Sequence, residues 1–170
     1  MIKIEKATSH KDYQQIVDLA NIIIPEVYYP IVPEEHVNTF MKKYQSIEAI
    51  EEQINQDFQY YFLKYSEEIV GYLGIVINNA ILLISKLYIL KEYRGRRIGK
   101  WAIDFIEKEA MKANCTSIDL LVNEFNSHSI DFYKLNGYIT IDLIEHNFND
   151  GHIVRDFKMQ KLCKPVGEYI

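Results

Sequence analysis

A chain of 170 residues, 48% hydrophobic and 25% charged with a net charge of −5, has the size and balance of one ordinary globular domain with its own core. The mildly acidic balance argues against nucleic acid as the main partner, because phosphate binding needs a basic stripe. Cys115, Cys163 and the scattered histidines offer neither metal-ligand spacing nor a disulfide framework, and no apolar run has the length of a membrane span or the make-up of a signal-peptide core. These properties lead to the expectation of a reduced, cytoplasmic protein with no metal and no membrane partner.

Residues 2–7 alternate as a short strand. Over 12–24 the residues Ile16, Leu19, Ala20, Ile23 and Ile24 recur at helical spacing, and Pro25, Pro30 and Pro33 are expected to break the chain after them. A second helix is expected over 34–44, and a third after Ser46, an N-cap with Glu48 in the first turn but with Ala49 where a capping box would need Glu or Gln. Residues 59–65 and 68–78 read as a hairpin closed at Ser66-Glu67, and a turn at Asn78-Asn79 leads to a third antiparallel strand over 80–90. From 97 to 113 the spacing turns helical, with Ile98, Ala102, Phe105, Ile106, Ala110 and Ala113 on one face and Asp104 paired with Lys108 on the other. That helix makes 117–122 a parallel neighbour. Asn126 caps a short helix that ends near Leu135 and stops at Asn136-Gly137. Strands over 138–147 and 153–161, joined by a turn at Asn149-Asp150-Gly151, finish the chain. The order predicts a single α/β domain over 1–165 with a tail at 166–170, built on a mixed, mostly antiparallel central sheet flanked by helices.

The strand over 80–90 runs into Tyr93-Arg94-Gly95-Arg96-Arg97-Ile98-Gly99-Lys100, a basic, glycine-bearing turn that opens directly into a helix. A helix start offers unsatisfied N–H groups and a positive dipole end, so this junction suits an anion, while a plain solvated helix start would look much the same. The run resembles the Arg/Gln-x-x-Gly-x-Gly/Ala signature of the GNAT superfamily of N-acetyltransferases, with Arg94 first, Gly99 last and Arg97 where the middle glycine belongs. Lys86-Leu87-Tyr88-Ile89-Leu90 is similar to the strand that precedes that loop. Val122-Asn123-Glu124-Phe125-Asn126, followed by Phe132-Tyr133 and Gly137-Tyr138, is similar to the second block of the superfamily.

The resemblance implies acetyl-CoA as co-substrate. Its diphosphate would lie on Arg94, Gly95, Arg96, Arg97, Ile98, Gly99 and Lys100, its thioester carbonyl would meet the backbone N–H groups of Leu87, Tyr88 and Ile89, and Asn126 would bond its pantetheine amides. Tyr133 would be the general acid that protonates the leaving thiolate, a role open to a phenol of pKa about 10. Many relatives carry a glutamate on the strand before the loop. Leu83 and Ser85 stand at the corresponding positions here, so a water ordered by Ser85 or Tyr88 is the expected proton acceptor. Glu26, Tyr28, Tyr29, Glu34, Glu35, His36 and Asp150 are candidates to face a cationic acceptor, although each also reads as an ordinary loop or surface residue. The pair of helices before Tyr61-Phe62 is similar to PaiA-type polyamine acetyltransferases, which implies a small-molecule amine acceptor such as a polyamine. A protein N-terminus or lysine as acceptor, and a non-catalytic acetyl-CoA sensor, are the alternatives. The superfamily also implies a possible homodimer.

Overall fold

The computed structural model describes residues 1–147 and 151–164. Its elements are β1 (Ile2–Lys6), α1 (His10–Tyr28), α2 (Glu34–Tyr44), α3 (Ile47–Asn55), β2 (Gln59–Tyr65), β3 (Glu68–Asn78), β4 (Ile81–Ile89), α4 (Ile98–Lys112), β5 (Ser117–Asn123), α5 (Ser127–Leu135), β6 (Ile139–Asn147) and β7 (Ile153–Leu162). A 3-10 turn at Lys91–Tyr93 precedes α4. The strand order is β1-β2-β3-β4-β5-β7-β6. The pairs β1–β2, β2–β3, β5–β7 and β6–β7 are antiparallel and β4–β5 is parallel, so the mixed, mostly antiparallel sheet is the expected one. The tail at 166–170, the boundary at 165, and Asn149 and Asp150 of the expected turn lie outside the described residues.

Contacts divide the chain into two units. One comprises Met1–Val76 with Lys86–Phe105; the other comprises Ile77–Ser85 with the chain from Ile106 onward. In the first unit α1 begins earlier than its apolar spacing suggests. Ser9 Oγ accepts from the Asp12 N–H at 3.2 Å, and the Asp12 carboxylate accepts from Thr8 N at 2.8 Å and Ser9 N at 3.0 Å, a capping box with aspartate in the place of glutamate. The Thr8 amide, ahead of the other Asp12 contacts, holds that carboxyl below its usual range. Pro25 does not break the helix. It lies inside α1, and Tyr29 N still donates to Pro25 O at 3.0 Å. Proline removes one donor, but Val27 and Tyr28 extend the buried stripe of Ile16, Leu19, Ala20, Ile23 and Ile24, and that packing carries the helix on.

Val37, Ile50, Tyr60, Phe62 and Tyr72 complete this core. Buried tyrosines need partners for their hydroxyls. Tyr60 donates to Gln53 Oε1 and Tyr72 to Gln45 Oε1, each at 2.5 Å, and burial pushes both phenols well above their ordinary range. Gly74 lies beneath them: a Cβ there would stand 3.0 Å from the Tyr60 ring and 3.3 Å from Lys86 Cγ. Ser66 and Glu67, with φ of 49° and 71°, make the expected two-residue hairpin. The next hairpin turns at Asn79-Ala80, φ 49° and 60°, one residue later than predicted, because β3 runs through Asn78.

In the second unit β5 pairs with β4 from Ile81↔Ser117 to Ile84↔Leu120, and along its whole length with β7. Ile118, Leu120, Val122, Ile130, Tyr133, Tyr138 and Met159 are buried.

Candidate active site

The far end of β4 is shaped by a close backbone approach. A Cβ on Gly71 would fall 2.3 Å from the Tyr88 carbonyl oxygen, so only glycine lets β3 come this near. Leu90 N donates to Val70 O at 2.9 Å, which fixes the β3-facing side of β4. By ladder alternation Tyr88 also turns its backbone toward β3, while Leu87 and Ile89 turn theirs to the opposite edge. The register with β5 ends at Ile84, before Leu87 and Ile89 are reached. Two of the three backbone groups expected to meet a thioester carbonyl are therefore edge groups.

The loop after β4 uses its cations in different ways. Arg94 Nε donates to Ile89 O at 2.9 Å, and its guanidinium makes a bidentate bond to Glu26 of α1 at 3.2 and 2.6 Å. Its side chain is a strut between α1 and the end of β4. Arg96 lies 5.5 Å from the Tyr65 ring centre and 5.3 Å from that of Tyr93, whose hydroxyl bonds Glu68. Lys100 pairs with Asp104, so Asp104 is tied back into the first turn instead of forward to Lys108. Among the described residues, Arg97 is the one arginine of the loop with no side-chain partner, and its backbone is left-handed at φ 63°, close to the 76° of Gly95. That conformation explains why the resembling signature carries glycine here. Arg97 O accepts from Trp101 N at 3.1 Å as α4 begins. The N–H groups of Ile98, Gly99 and Lys100 are those that helix geometry leaves without an intrahelical partner. Open amides, two left-handed residues and an uncommitted guanidinium form a donor set that fits a diphosphate.

In the second unit Asn126 is the N-cap of α5, accepting from Ser129 N at 3.3 Å through Oδ1. The capping role is real, and it leaves Nδ2 for a further acceptor. Tyr133 is 8% exposed on α5, edge-on to Phe132 at 5.3 Å and to Tyr138 at 5.5 Å.

The acceptor candidates are dispersed. Glu26 is engaged by Arg94. Tyr28 packs edge-on against Tyr88, with their hydroxyls 3.5 Å apart. Tyr29 donates to Asn38 at 2.9 Å, and His36 is buried. Glu34 and Glu35 line a groove with Asn38, Thr39 and Lys42, and Asp150 lies outside the described residues. Leu83 and Ser85 are partly exposed on β4. Between Ser85 and Leu87, Lys86 is 7% exposed, and burial pushes its amine down to about 8. Sequence reasoning passed over Lys86 and Gly71. The one available signal was a glycine interrupting a strand pattern.

An acetyltransferase fold with a phosphate-ready loop is the class these features define. A sequence model of the Acetyltransferase (GNAT) family matches residues 24–138, more than half of the chain, and the chain belongs to that family. It is 28% identical over 160 residues to a spermidine N(1)-acetyltransferase of Thermoplasma acidophilum, covering 90% of this chain and 92% of the relative. Among solved structures it is similar to PaiA N-acetyltransferase of T. acidophilum in complex with coenzyme A, with a TM-score of 0.77, 23% identity, and 95% and 99% of the two chains covered. It is likewise similar in fold to the ribosomal-protein-S18-alanine N-acetyltransferase of Escherichia coli, with a TM-score of 0.74, 12% identity, and 100% and 99% covered. Among the described residues, no helix is long and apolar enough to cross a membrane.

Proposed function

We propose that the protein moves the acetyl group of acetyl-CoA to a primary amine of a small polyamine, with Tyr133 as general acid. The observation that carries the acceptor class is the similarity to a spermidine acetyltransferase across nine-tenths of both chains. Acetyl-CoA supplies an activated thioester carbonyl. The chain's own part is to hold the diphosphate on the loop Arg94–Lys100, to offer the Leu87 and Ile89 edge groups to the carbonyl, and to bond the pantetheine through Asn126.

A phenol, with an ordinary pKa of about 10, suits proton donation to a thiolate, since the thiol formed is of comparable acidity. An alkylammonium of pKa about 10.4 must lose a proton before it attacks. With Leu83 and Ser85 at the positions where relatives carry glutamate, a water ordered by Ser85 or Tyr88 takes that proton.

Purified protein with acetyl-CoA and a panel of spermidine, spermine, putrescine and an alanine-initiated peptide tests the reading through thiol release. Release with the polyamines and none with the peptide is expected; no release with any amine would sink the enzyme reading. Tyr133→Phe should lower kcat on the order of a hundredfold with the KM for acetyl-CoA unchanged. An unaltered kcat would remove Tyr133 from its role.

A further inference from the structure

The start of α4 buries Ile98, Ala102 and Ile103 and turns Trp101 outward, 53% exposed. Among the described residues its indole has no ring neighbour, no cation and no hydrogen-bond acceptor. The other aromatic rings beside the loop, Tyr65 and Tyr93, both meet the Arg96 guanidinium. Tryptophan is a poorer helix former than alanine or lysine, so neither helix propensity nor packing accounts for it at this position. Its place is tied to the loop. Trp101 N donates to Arg97 O at 3.1 Å, which sets the two residues one turn apart on the same side of the helix start. A helical side chain leans toward the turn before it, and this carries the indole toward Arg97 and the open amides of Ile98, Gly99 and Lys100.

We infer that Trp101 is the platform on which the adenine ring of coenzyme A stacks. The inference rests on the diphosphate lying on the loop Arg94–Lys100. Coenzyme A carries one arm on each side of its diphosphate. The pantetheine arm runs to the thioester, whose partners are the edge groups of Leu87 and Ile89, ahead of the loop in the chain. The adenosine arm leaves from the other phosphate, one ribose away from its base. On the outer side of the same helical turn the indole offers a flat apolar surface with no other occupant among the described residues. Stacking of a base on an aromatic ring needs no hydrogen-bond readout, so a single exposed tryptophan is sufficient for it. Trp101 would thus recognise the nucleotide end of the donor and take no part in the acetyl transfer itself.

Calorimetric titration with coenzyme A and with phosphopantetheine, which keeps the arm and one phosphate but lacks adenosine, tests this without turnover. Trp101→Leu should weaken coenzyme A roughly tenfold and leave phosphopantetheine unchanged, while Trp101→Phe, which keeps a ring, should stay close to the wild type. The loss in Trp101→Leu should be the same at low and high salt, since stacking on an uncharged ring is not screened, whereas a lost cation contact would matter less as salt rises. Wild-type affinity for coenzyme A in Trp101→Leu, or an equal loss for both ligands, would overturn the inference and leave the diphosphate on the loop. A wild-type protein that binds neither ligand would overturn the loop assignment and this inference with it.

Discussion

At Arg97 a side chain with a Cβ occupies a left-handed backbone position that costs an L-residue about 1–2 kcal/mol. Glycine would relieve that strain but lose roughly 0.5–1 kcal/mol through its freer unfolded chain. Arg97→Gly should therefore change the urea midpoint little. It should nonetheless raise the KM for acetyl-CoA several-fold, because the guanidinium with no partner among the described residues is the one available to an anion. The increase should be larger at low salt, where exposed charges are less screened. An equal KM for both proteins at low ionic strength would show that the Arg97 side chain takes no part. The comparison separates Arg97 from Arg94, whose guanidinium is already committed to Glu26 and the Ile89 carbonyl.

Among the elements, β4 depends most on a neighbour. Gly71→Ala must push Tyr88 and its peptide away from β3, since a Cβ at 2.3 Å from a backbone oxygen has no rotamer by which to escape. An overpacking loss of roughly 1–3 kcal/mol in urea denaturation is expected, together with weaker acetyl-CoA binding as Leu87 and Ile89 shift. Unchanged stability would mean that the strands separate there at little cost. The only local trace of this closeness in the sequence is a glycine inside a strand pattern. What was legible was periodic or punctuated: the hairpin at Ser66-Glu67, the bounds of α2, and the cap and stop of α5 at Asn126 and Gly137. The start of α1 was missed because its box uses Asp12, and its end because the packing of Val27 and Tyr28 outweighs the bond lost at Pro25. The loop was readable as a motif, but the partners of its arginines were not. Glu26 lies 68 residues from Arg94, and only the fold brings them together.

For the molecule as a whole, Lys86 ties stability to pH. Burial pushes its amine down to about 8 from the ordinary 10.5. Below about pH 8 folded and unfolded chains both hold the proton, and the folded state bears the full penalty of a buried cation. Between 8 and 10.5 the folded protein has released a proton that the unfolded chain still binds, so this contribution to stability rises with pH; above 10.5 the penalty is gone. Lys86→Met lacks this titration, so its stability relative to the wild type should be greater near neutral pH than at high pH, by as much as about 3 kcal/mol. The gap should close as the pH approaches 10.5, as followed by urea unfolding across that range. A gap independent of pH would assign the gain to packing alone.

Trp101 is the single tryptophan of the chain, 53% exposed, and its amide closes the first turn of α4 on the Arg97 carbonyl. The protein thus carries a built-in fluorophore beside the loop proposed to hold the diphosphate. If the cofactor binds there, a coenzyme A titration should change the emission of this one chromophore without any label.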